Sequence, residues 1–323
     1  MKVLRSLDEA RASGALRGAA LAIGNFDGVH LGHQALVRLA RERAGVHGAP
    51  SAVLTFDPHP VRVLRPEVAP PLLTPMSRRL ELLAGLGLDG AVVQPFDRAF
   101  AATGAAAFVS RDLARAIGCR DVVVGWDFTA GHERARVDAL RPLLAEAGIA
   151  LHVVAPVASD GLTVSSTKIR ELVLEGNVEA AAVLLTRPHE VEGEVVRGAG
   201  RGRGLGFATA NLQTGGLLPR NGVYAVRASV GPLGSGAEAL AGAPLLGGVC
   251  NVGVNPTVES AGGVRLETHL LEHDGRDLYG APMRVAFVAR LREERRFPSL
   301  EALRSGIAAD AVRARSVLGL APV

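Results

Sequence analysis

The sequence predicts an α/β doubly wound domain with a parallel sheet, followed by a small antiparallel β-barrel domain that ends in a helix. Up to about residue 185, short apolar or β-branched runs alternate with longer amphipathic segments, which is the pattern of repeated strand–helix–strand units. After Pro188 the chain changes to valine-rich runs separated by glycine, which is typical of antiparallel strands. A chain of 323 residues is long enough for two domains of ordinary size. We therefore expect domains over residues 1–186 and 187–323.

The first domain is expected to be built from alternating strands and helices. The predicted strands cover residues 20–25, 51–56, 90–94, 121–125 and 150–154, and the predicted helices cover residues 33–43, 77–84, 105–117 and 134–147. In an open parallel sheet, ligands bind beyond the carboxyl ends of the strands. Candidate functional residues are therefore expected directly after these strands.

The second domain is expected to be a small barrel of short antiparallel strands, and the strand pattern by itself also allows a sandwich. The predicted strands cover residues 191–196, 210–212, 222–229, 245–252, 264–271 and 283–291, and a closing helix covers residues 299–318. The segment 231–244 is rich in glycine, alanine and proline and is interpreted as a long hairpin connection.

Composition and charge exclude several classes of protein. The 36 basic residues face 32 acidic ones and are interleaved with them, and aromatic residues make up only 4%, so no nucleic-acid surface is expected. No apolar stretch is long enough to span a bilayer and the start lacks a signal-peptide core, so we expect a cytoplasmic protein with no membrane partner. Cys119 and Cys250 lie far apart and are expected to be reduced core thiols. No glycine-rich segment leads into Lys168 at P-loop spacing, which excludes that ATP-binding motif.

The segment 24–33, with the sequence GNFDGVHLGH, directly follows the first predicted strand and opens the first predicted helix. Backbone N–H groups at a helix start, together with the helix dipole, favour phosphate groups. Gly28 and Gly32 allow a ligand to approach the backbone closely. His30 and His33 are three residues apart and are candidates for donating hydrogen bonds to a phosphate on which charge builds up. A purely structural histidine pair is the alternative interpretation.

This segment resembles the HxGH signature of the nucleotidyltransferase superfamily, and its full form resembles the bacterial bifunctional riboflavin kinase/FMN adenylyltransferase (FAD synthetase) family. Residues 55–60 (TFDPHP), 124–128 (VGWDF) and 164–170 (VSSTKIR) are also similar to segments of that family. The resemblance implies that His30 and His33 are catalytic. It implies ATP- or phosphate-binding roles for Gly24, Phe26, Gly28, Gly32, Ser165, Ser166, Thr167 and Arg170, and flavin-binding roles for Asp57, Pro58, His59, Asp127 and Phe128.

Structural roles stay open for several of these residues. Ser165 or Ser166 could cap the helix that follows them. Asp57 and His59 could shape a turn-prone loop. Trp126, the single tryptophan, could stack on a flat ligand or pack against the protein.

A second motif opens the barrel domain. Residues 198–212 are too rich in glycine for a core strand and too apolar at their end for a linker, so they are interpreted as a phosphate-covering loop that leads into a strand. Taken alone, the glycine pattern is equally compatible with a plain surface connection. The segment resembles the riboflavin kinase pattern GRxLGFPTAN, and residues 267–270 with 277–280 resemble the segment that carries the catalytic glutamate in that family. The resemblance implies ATP binding by Gly198, Gly200 and Arg203, Mg²⁺ binding by Thr209 and Asn211, catalysis by Glu267 and flavin binding by Arg290. A solvated strand face is the alternative for Glu267, and a surface ion pair is the alternative for Arg290.

Two positions depart from the family pattern. Ala208 replaces the usual proline of the PTAN element, and Ala130 stands where an aromatic residue is usual. The first departure bears on the rigidity of the glycine-rich loop. The second bears on one wall of the adenylylation pocket.

The resemblance covers nearly the whole chain and implies one enzyme with two activities. The barrel domain is expected to phosphorylate riboflavin to FMN, and the α/β domain to transfer AMP from ATP to FMN, giving FAD and pyrophosphate, with Mg²⁺ in both reactions. The expected partners are small-molecule substrates, with no nucleic acid and no membrane, and self-association is left open. Two alternatives remain: only one module is active, or the protein is a flavin- or nucleotide-responsive regulator that binds RNA.

Overall fold

The computed structural model of the protein describes residues 1–197, 209–254, 264–272 and 277–321. The chain divides into two compact units, one made of residues 1–70 and 78–165 and the other of residues 71–77 and 166–323. The first unit contains a parallel sheet and the second a closed antiparallel barrel, which confirms the predicted fold class. Across the described ranges, no helix is long and apolar enough to cross a membrane.

A parallel sheet of six strands is the frame of the first unit. The strands of this unit are β1 (Lys2–Leu4), β2 (Ala20–Ile23), β3 (Ser51–Asp57), β4 (Gly90–Pro95), β5 (Asp121–Gly125), β6 (Thr129–Ala130), β7 (Ala135–Arg136), β8 (Ala150–Val154), β9 (Ala158–Ser159) and β10 (Leu162–Thr163). The sheet has the order β1-β4-β3-β2-β5-β8, while β6 with β7 and β9 with β10 form two short antiparallel pairs. All the predicted strands of this region lie in the sheet, and β1 is an additional strand at its edge.

Helices pack on both faces of this sheet. They are α1 (Leu7–Ser13), α2 (Leu31–His47), α3 (Pro60–Leu64), α4 (Met76–Gly85), α5 (Arg98–Ala101), α6 (Ala105–Ala107), a π-helix (Phe108–Ile117) and α7 (Val137–Glu146). Along β5, Val122 and Val124 belong to one hydrophobic core and Val123 belongs to another, because successive side chains of a strand point to opposite faces. Each face of the sheet is therefore covered by its own core.

Two predicted helices differ from the observed ones for local reasons. The predicted helix 105–117 is a short α-helix that continues as the π-helix Phe108–Ile117. The predicted helix 134–147 begins only at Val137, because Ala135 and Arg136 pair with β6 instead. Ala130, on β6, is buried in one of the two cores of this unit.

The second unit is a six-stranded barrel preceded by two helices and followed by one. Its elements are α8 (Ser166–Glu175), α9 (Val178–Leu185), β11 (His189–Val196), β12 (Thr209–Gln213), β13 (Gly222–Val230), β14 (Leu246–Val254), β15 (Val264–Leu270), β16 (Pro282–Arg292) and α10 (Leu300–Leu318). The barrel closes in the order β11-β12-β15-β14-β13-β16. The strands β13 and β14 pair antiparallel, so the segment 231–244 connects a hairpin as predicted.

Helix α10 packs on the outside of the barrel. Ala314 and Leu318 form a small core with residues of the barrel wall, among them Val249. Arg292, at the end of β16, donates two hydrogen bonds from Nε and Nη2 to the Asp310 carboxylate, at 2.9 Å and 2.7 Å. Apolar packing and this charged pair together fix the closing helix against the barrel.

Helix α9 belongs to the barrel unit in its packing. Val178 is fully buried in the barrel core, together with residues such as Tyr224 and Phe287. The predicted domain boundary at 186/187 lies after this helix. That boundary concerns which part of the chain folds alone, and it stays a prediction.

The two cysteines are free and buried, one in each unit. Cys119 follows the π-helix of the first unit, and Cys250 lies on β14 in the barrel core. Burial raises the pKa of each thiol to about 12. Both cysteines are therefore reduced core thiols in this structure, as expected.

Candidate active sites

The loop between β2 and α2 has an unusual backbone. Phe26 and Val29 have positive φ angles of 50° and 43°, and Gly28 has a φ of 91°. Positive φ is rare for a β-branched residue such as Val29, so this conformation needs support from its surroundings. Phe26 and Val29 are both buried, which provides part of that support.

Arg79, on α4, anchors this loop through its guanidinium group. Its Nη1 donates a hydrogen bond to the Asn25 carbonyl oxygen at 2.9 Å, and its Nη2 lies 3.4 Å from Oδ1 of Asp27. Thr55, on β3, donates to the same Asn25 carbonyl at 3.2 Å. Arg79 and Asp27 are each 1% exposed, so the loop is held by a buried ion pair. Arg79 was not predicted as a site residue, because its position in a helix does not reveal contact with a loop distant in sequence.

The histidine pair lies at the start of α2. His30 is the N-cap residue, and its Nδ1 accepts a hydrogen bond from the backbone N–H of His33 at 3.4 Å. The two rings stack with centroids 3.7 Å apart and planes 16° apart. A Cβ on Gly32 would lie 3.2 Å from the His30 ring, so glycine gives this ring its space. The predicted loop–helix motif therefore places both imidazoles together at a helix start.

His33 is held in its neutral form. Burial lowers its pKa well below the ordinary value, and the nearby His30 and Arg79 lower it further. Its Nδ1 is buried and has no hydrogen-bond partner in the part of the chain that the structure describes. At neutral pH this side chain is therefore a hydrogen-bond donor without a charge.

Other predicted residues of the first unit follow neighbouring strands. Asp57 ends β3 and is exposed, as is Pro58, while His59 caps α3 by accepting from the Val61 N–H at 3.3 Å. Since β3, β2 and β5 are adjacent and parallel, the segments after them meet at the carboxyl edge of one sheet.

The segment after β5 contributes aromatic surface to this edge. Trp126 is 51% exposed, Asp127 is exposed, and Phe128 is half-buried against the core of the unit. An exposed tryptophan at this edge is available to stack on a flat ligand. The segments after β3 and β5, for which flavin binding stays a prediction, thus lie at the edge that carries the histidine pair.

The segment around Ser165 divides between the two units. Val164 approaches the histidine loop, since its carbonyl oxygen is 3.9 Å from the position of a Cβ on Gly32. Ser166 and Thr167 begin α8, and Nε of Arg170 donates to the Pro71 carbonyl at 2.9 Å. Helix α8 therefore begins directly after Ser165, at Ser166. Phosphate binding by Ser165, Ser166, Thr167 and Arg170 stays a prediction.

In the barrel, three polar residues form a row across adjacent strands. Asn211 on β12 is the register partner of Glu267 on β15, and Glu267 is also the partner of Asn251 on β14. Leu266 and Thr268, which flank Glu267, are buried, and Leu266 belongs to the barrel core. Because side chains alternate along a strand, Asn211, Glu267 and Asn251 share the outer face of the barrel.

Thr209 lies on the same face as this row. It is two residues before Asn211 on β12, and its register partner is His269. The structure thus brings three of the predicted kinase residues together: Thr209, Asn211 and Glu267. Their oxygen atoms are of the type that Mg²⁺ prefers. In the described residues there is no cluster of three or more His, Cys, Asp or Glu side chains that could hold a metal ion without substrate.

Arg290 is fixed by contacts within the second unit. Its Nη2 donates to the Asn221 carbonyl at 2.9 Å, and its backbone N–H donates to Oε1 of Glu179 at 2.9 Å. Flavin binding by Arg290 stays a prediction. The predicted loop residues Gly198, Gly200, Arg203 and Ala208 lie outside the described residues.

Both parts of the chain match known families. Residues 13–168 match the FAD synthetase family, and residues 185–318 match the riboflavin kinase family. The chain is 38% identical to the bifunctional riboflavin kinase/FMN adenylyltransferase of Pseudomonas fluorescens, over 98% of each protein. It is 36% identical to the protein of the same name from Escherichia coli strain K12, over 94% of each, and 32% identical to that of Bacillus subtilis strain 168, over 90% of this chain and 89% of that one.

A solved structure is similar over nearly the same extent. The crystal structure of a macrolide-efflux protein from Streptococcus pneumoniae has a TM-score of 0.83 and 26% identity, and covers 98% of this chain and 99% of that chain. Sequence similarity to proteins from several bacteria agrees with the family matches in both parts of the chain. The chain belongs to the bacterial bifunctional riboflavin kinase/FMN adenylyltransferase family.

Proposed function

We propose that this protein phosphorylates riboflavin to FMN with ATP and then transfers AMP from a second ATP to FMN, giving FAD and pyrophosphate. The observation that supports this most directly is the pairing of two separate sites in one chain. One unit has two donor imidazoles at a helix start, and the other has a carboxylate beside hydroxyl and amide oxygens. Hydrogen-bond donors suit a reaction in which an anion attacks phosphorus, because they stabilise the charge that builds up. A carboxylate suits a reaction in which a neutral hydroxyl attacks, because it accepts the proton of that hydroxyl.

The adenylylation is assigned to the first unit. The FMN phosphate is already an anion when it attacks the α-phosphorus of ATP, so this reaction needs no general base. It needs alignment and stabilisation of the charge that builds up on the phosphorus oxygens. His30 and His33 are the donors for that charge. The segments after β3 and β5 are the surface for the flavin.

The phosphorylation is assigned to the barrel. The 5′-hydroxyl of riboflavin is neutral, and we assign to Glu267 the role of accepting its proton as it attacks the γ-phosphorus; the register pairing of Glu267 with Asn211 supports this role. Thr209 and Asn211 would hold Mg²⁺ with the ATP phosphates, and the ion would neutralise charge on the transferred group. Asn211 is 8% exposed, so its amide is held in place by the protein around it.

A time course with purified protein tests the proposal. Riboflavin, ATP and Mg²⁺ are added, and flavins are separated chromatographically at intervals. We expect FMN to rise first and FAD to replace it. Accumulation of FMN alone would leave the barrel as the single active module. Unchanged riboflavin together with a salt-sensitive RNA complex would favour the regulator instead.

Glu267→Gln tests the role of the carboxylate. The substitution keeps the shape and removes the proton acceptor, so FMN formation should fall about 10²–10⁴-fold while supplied FMN still becomes FAD. Glu272→Gln, at an exposed position two residues past the end of β15, is the matched control. Equal loss of both reactions in Glu267→Gln would count against two independent sites.

The proposed domain boundary is tested with two fragments. We propose that residues 187–323 fold alone and phosphorylate riboflavin. A fragment of residues 166–323 retains α8 and α9, including the buried Val178. Cooperative melting and kinase activity of the shorter fragment support the boundary at 186/187. Activity of the longer fragment alone moves the boundary to before α8.

The proposed setting is the cytoplasm, with riboflavin, FMN, FAD and ATP as small-molecule partners and no nucleic acid. Self-association is left to measurement. Sedimentation of the purified protein across a concentration series gives its oligomeric state.

A further inference from the structure

Arg79 and Asp27 contact the loop that carries the histidine pair, but the proposed chemistry gives them no role. Arg79 reaches from α4 to the loop that precedes α2, and it is fully buried there with Asp27. Burying a charge is energetically costly. A buried arginine close to an imidazole that is proposed to bind phosphate therefore calls for an explanation.

We infer that His30 and His33 act on phosphate as two neutral imidazoles that donate from Nε2, and that Arg79 is a positioning residue that helps to keep His33 neutral. This inference rests on the proposed adenylylation in the first unit. It adds two points to that proposal: the protonation state of the two imidazole donors, and a positioning role for Arg79, which does not itself contact substrate.

The cap geometry determines the state of His30. Its Nδ1 accepts the backbone N–H of His33, so that nitrogen cannot also carry a proton. The proton of the neutral ring is then on Nε2. Protonating Nδ1 would break the cap of α2, which is a stabilising interaction at the start of a helix. His30 is therefore a neutral donor as long as α2 keeps its first turn.

The surroundings of His33 disfavour its charged form in a different way. An imidazolium carries N–H on both nitrogens, and Nδ1 of His33 is buried without a partner in the described part of the chain. Protonation would place an unsatisfied donor there, which is unfavourable. His33 also lies in the first turn of α2, where the helix dipole disfavours a positive charge.

Arg79 adds a fixed positive charge to these effects. Among the groups that lower the pKa of His33, Arg79 from α4 is the one that is positively charged at every pH, and His30 at the start of the same helix adds to the effect only when it is itself protonated. Asp27 accompanies Arg79 as its ion-pair partner. Arg79 thus performs two tasks with one guanidinium: it fixes the loop through Asn25 and it disfavours a proton on His33.

Nitrogen NMR of the ligand-free protein tests the protonation state directly. With ¹⁵N-labelled histidine, we expect His33 at pH 6.5 to show a protonated Nε2 and an unprotonated Nδ1. In Arg79→Met, the titration midpoint of His33 should move upward. An imidazolium at pH 6.5 in the unsubstituted protein overturns the inference. This measurement needs no turnover, so its failure is distinct from a failure of the proposed function, which is an absence of FAD.

The pH dependence of adenylylation gives a second readout. An imidazole with the ordinary pKa of about 6.5 is only about one-tenth neutral at pH 5.5. We therefore expect the kcat for FAD formation in Arg79→Met, divided by that of the unsubstituted protein, to fall up to about tenfold between pH 7.5 and pH 5.5. The division removes the titration of the FMN phosphate, which is the same for both proteins.

Three variants separate charge from shape. Arg79→Lys keeps the charge and should restore the pH profile even where kcat is lower. Thr55→Val removes the other donor to the Asn25 carbonyl and should leave the His33 titration unchanged. Arg78→Met, the neighbouring cation on α4 that pairs with Glu81, is the matched control and should change neither readout.

Folding is monitored in each sample by riboflavin phosphorylation, which belongs to the other unit, and by thermal melting. If Arg79→Met does not fold, Arg79→Met with Asp27→Asn removes both buried charges together and takes its place. A loss of adenylylation that is equal at every pH, with an unmoved His33 titration, shows that Arg79 is structural only and overturns its assigned role.

Discussion

Helix α2 carries histidines at both of its ends, His30 and His33 at its start and His47 at its end. The start lies at the carboxyl edge of the parallel sheet. The end lies at the opposite edge, where Asp121 begins β5. The same residue type in one helix therefore meets two different surroundings.

The opposite edge, where the parallel strands begin, is the amino edge of the sheet. There, one carboxylate contacts two histidines. Nε2 of His47 lies 3.2 Å from Oδ2 of Asp121, and Nε2 of His152 lies 2.7 Å from Oδ1. Nε of Arg43 donates to Oδ1 at 3.1 Å, and Asp121 itself is 1% exposed. The Nε2 atoms of these histidines therefore make contacts within the protein. At the carboxyl edge, the proposed chemistry needs Nε2 of His30 and His33 for substrate.

Replacing the histidines at the carboxyl edge should have the largest effect. In His30→Ala with His33→Ala, FAD formation from FMN should fall by at least about 10³-fold, since loss of one such donor typically costs about 10²–10³-fold. Riboflavin phosphorylation in the same sample should stay within twofold of normal, roughly the assay error. The matched control is His47→Gln with His152→Gln, which should keep adenylylation below its melting temperature. Comparable losses in both double variants would remove the distinction between the two edges.

Removing the carboxylate at the amino edge should change stability rather than catalysis. Asp121→Ala removes the carboxylate that Arg43, His47 and His152 all contact, and leaves Arg43 and His152 without a hydrogen-bond partner there, so we expect the free energy of unfolding to fall by about 1–3 kcal/mol. Denaturant unfolding measures this change. Asp8→Ala removes a carboxylate from an exposed ion pair with Arg11 and should have no measurable effect. A large loss of kcat in folded Asp121→Ala would contradict a structural role.

The pH dependence of stability sharpens the contrast. Because the folded state holds the pKa of His33 low, the unfolded state takes up a proton below about pH 6.5 that the folded state does not. Stability should therefore decrease as the pH falls below that value, by at most about 1.4 kcal/mol per pH unit for one proton. His33→Gln should flatten this decrease in a series of melts from pH 7.5 to pH 5. A slope unchanged by the substitution would show that His33 already titrates normally.

The smallest expected effect comes from one methyl group near the His30 ring. Gly32→Ala places a Cβ about 3.2 Å from that ring, so the ring must shift by a few tenths of an ångström. We expect adenylylation to fall by tenfold or less, roughly the effect of a displaced donor. Gly45→Ala in the same helix meets nothing within 4 Å and should raise stability by about 0.5–1 kcal/mol without changing kcat. Equal kinetics for the two variants would show that the His30 ring tolerates displacement.

The sequence was most informative where one pattern determines one element. The strand β5 was predicted with its observed bounds, Asp121–Gly125, because a run of valines between polar residues has few other conformations in an α/β region. The three-residue strand β1 was missed, since its pairing with β4 provides a signal that a local pattern lacks. The π-helix Phe108–Ile117 shares its apolar spacing with an α-helix and was not distinguished from one.

The sites were predictable in part for similar reasons. His30 and His33 lie close in sequence, so a local motif indicates them. The contact of Arg79 with Asn25 joins residues 54 positions apart, and the register of Asn211 with Glu267 joins two strands that are far apart in sequence. Such contacts depend on how the chain folds back on itself, which spacing along the sequence does not reveal.

The two buried cysteines have a practical consequence for studies of this protein. Each unit contains one thiol, with a pKa raised to about 12, so a thiol-reactive dye meets almost no thiolate in the folded state. Labelling then proceeds only as fast as each unit opens. Mass spectrometry of the peptides around Cys119 and Cys250 reports two opening rates from one sample, without any engineered probe. Adding ATP or a flavin would show which unit each ligand protects.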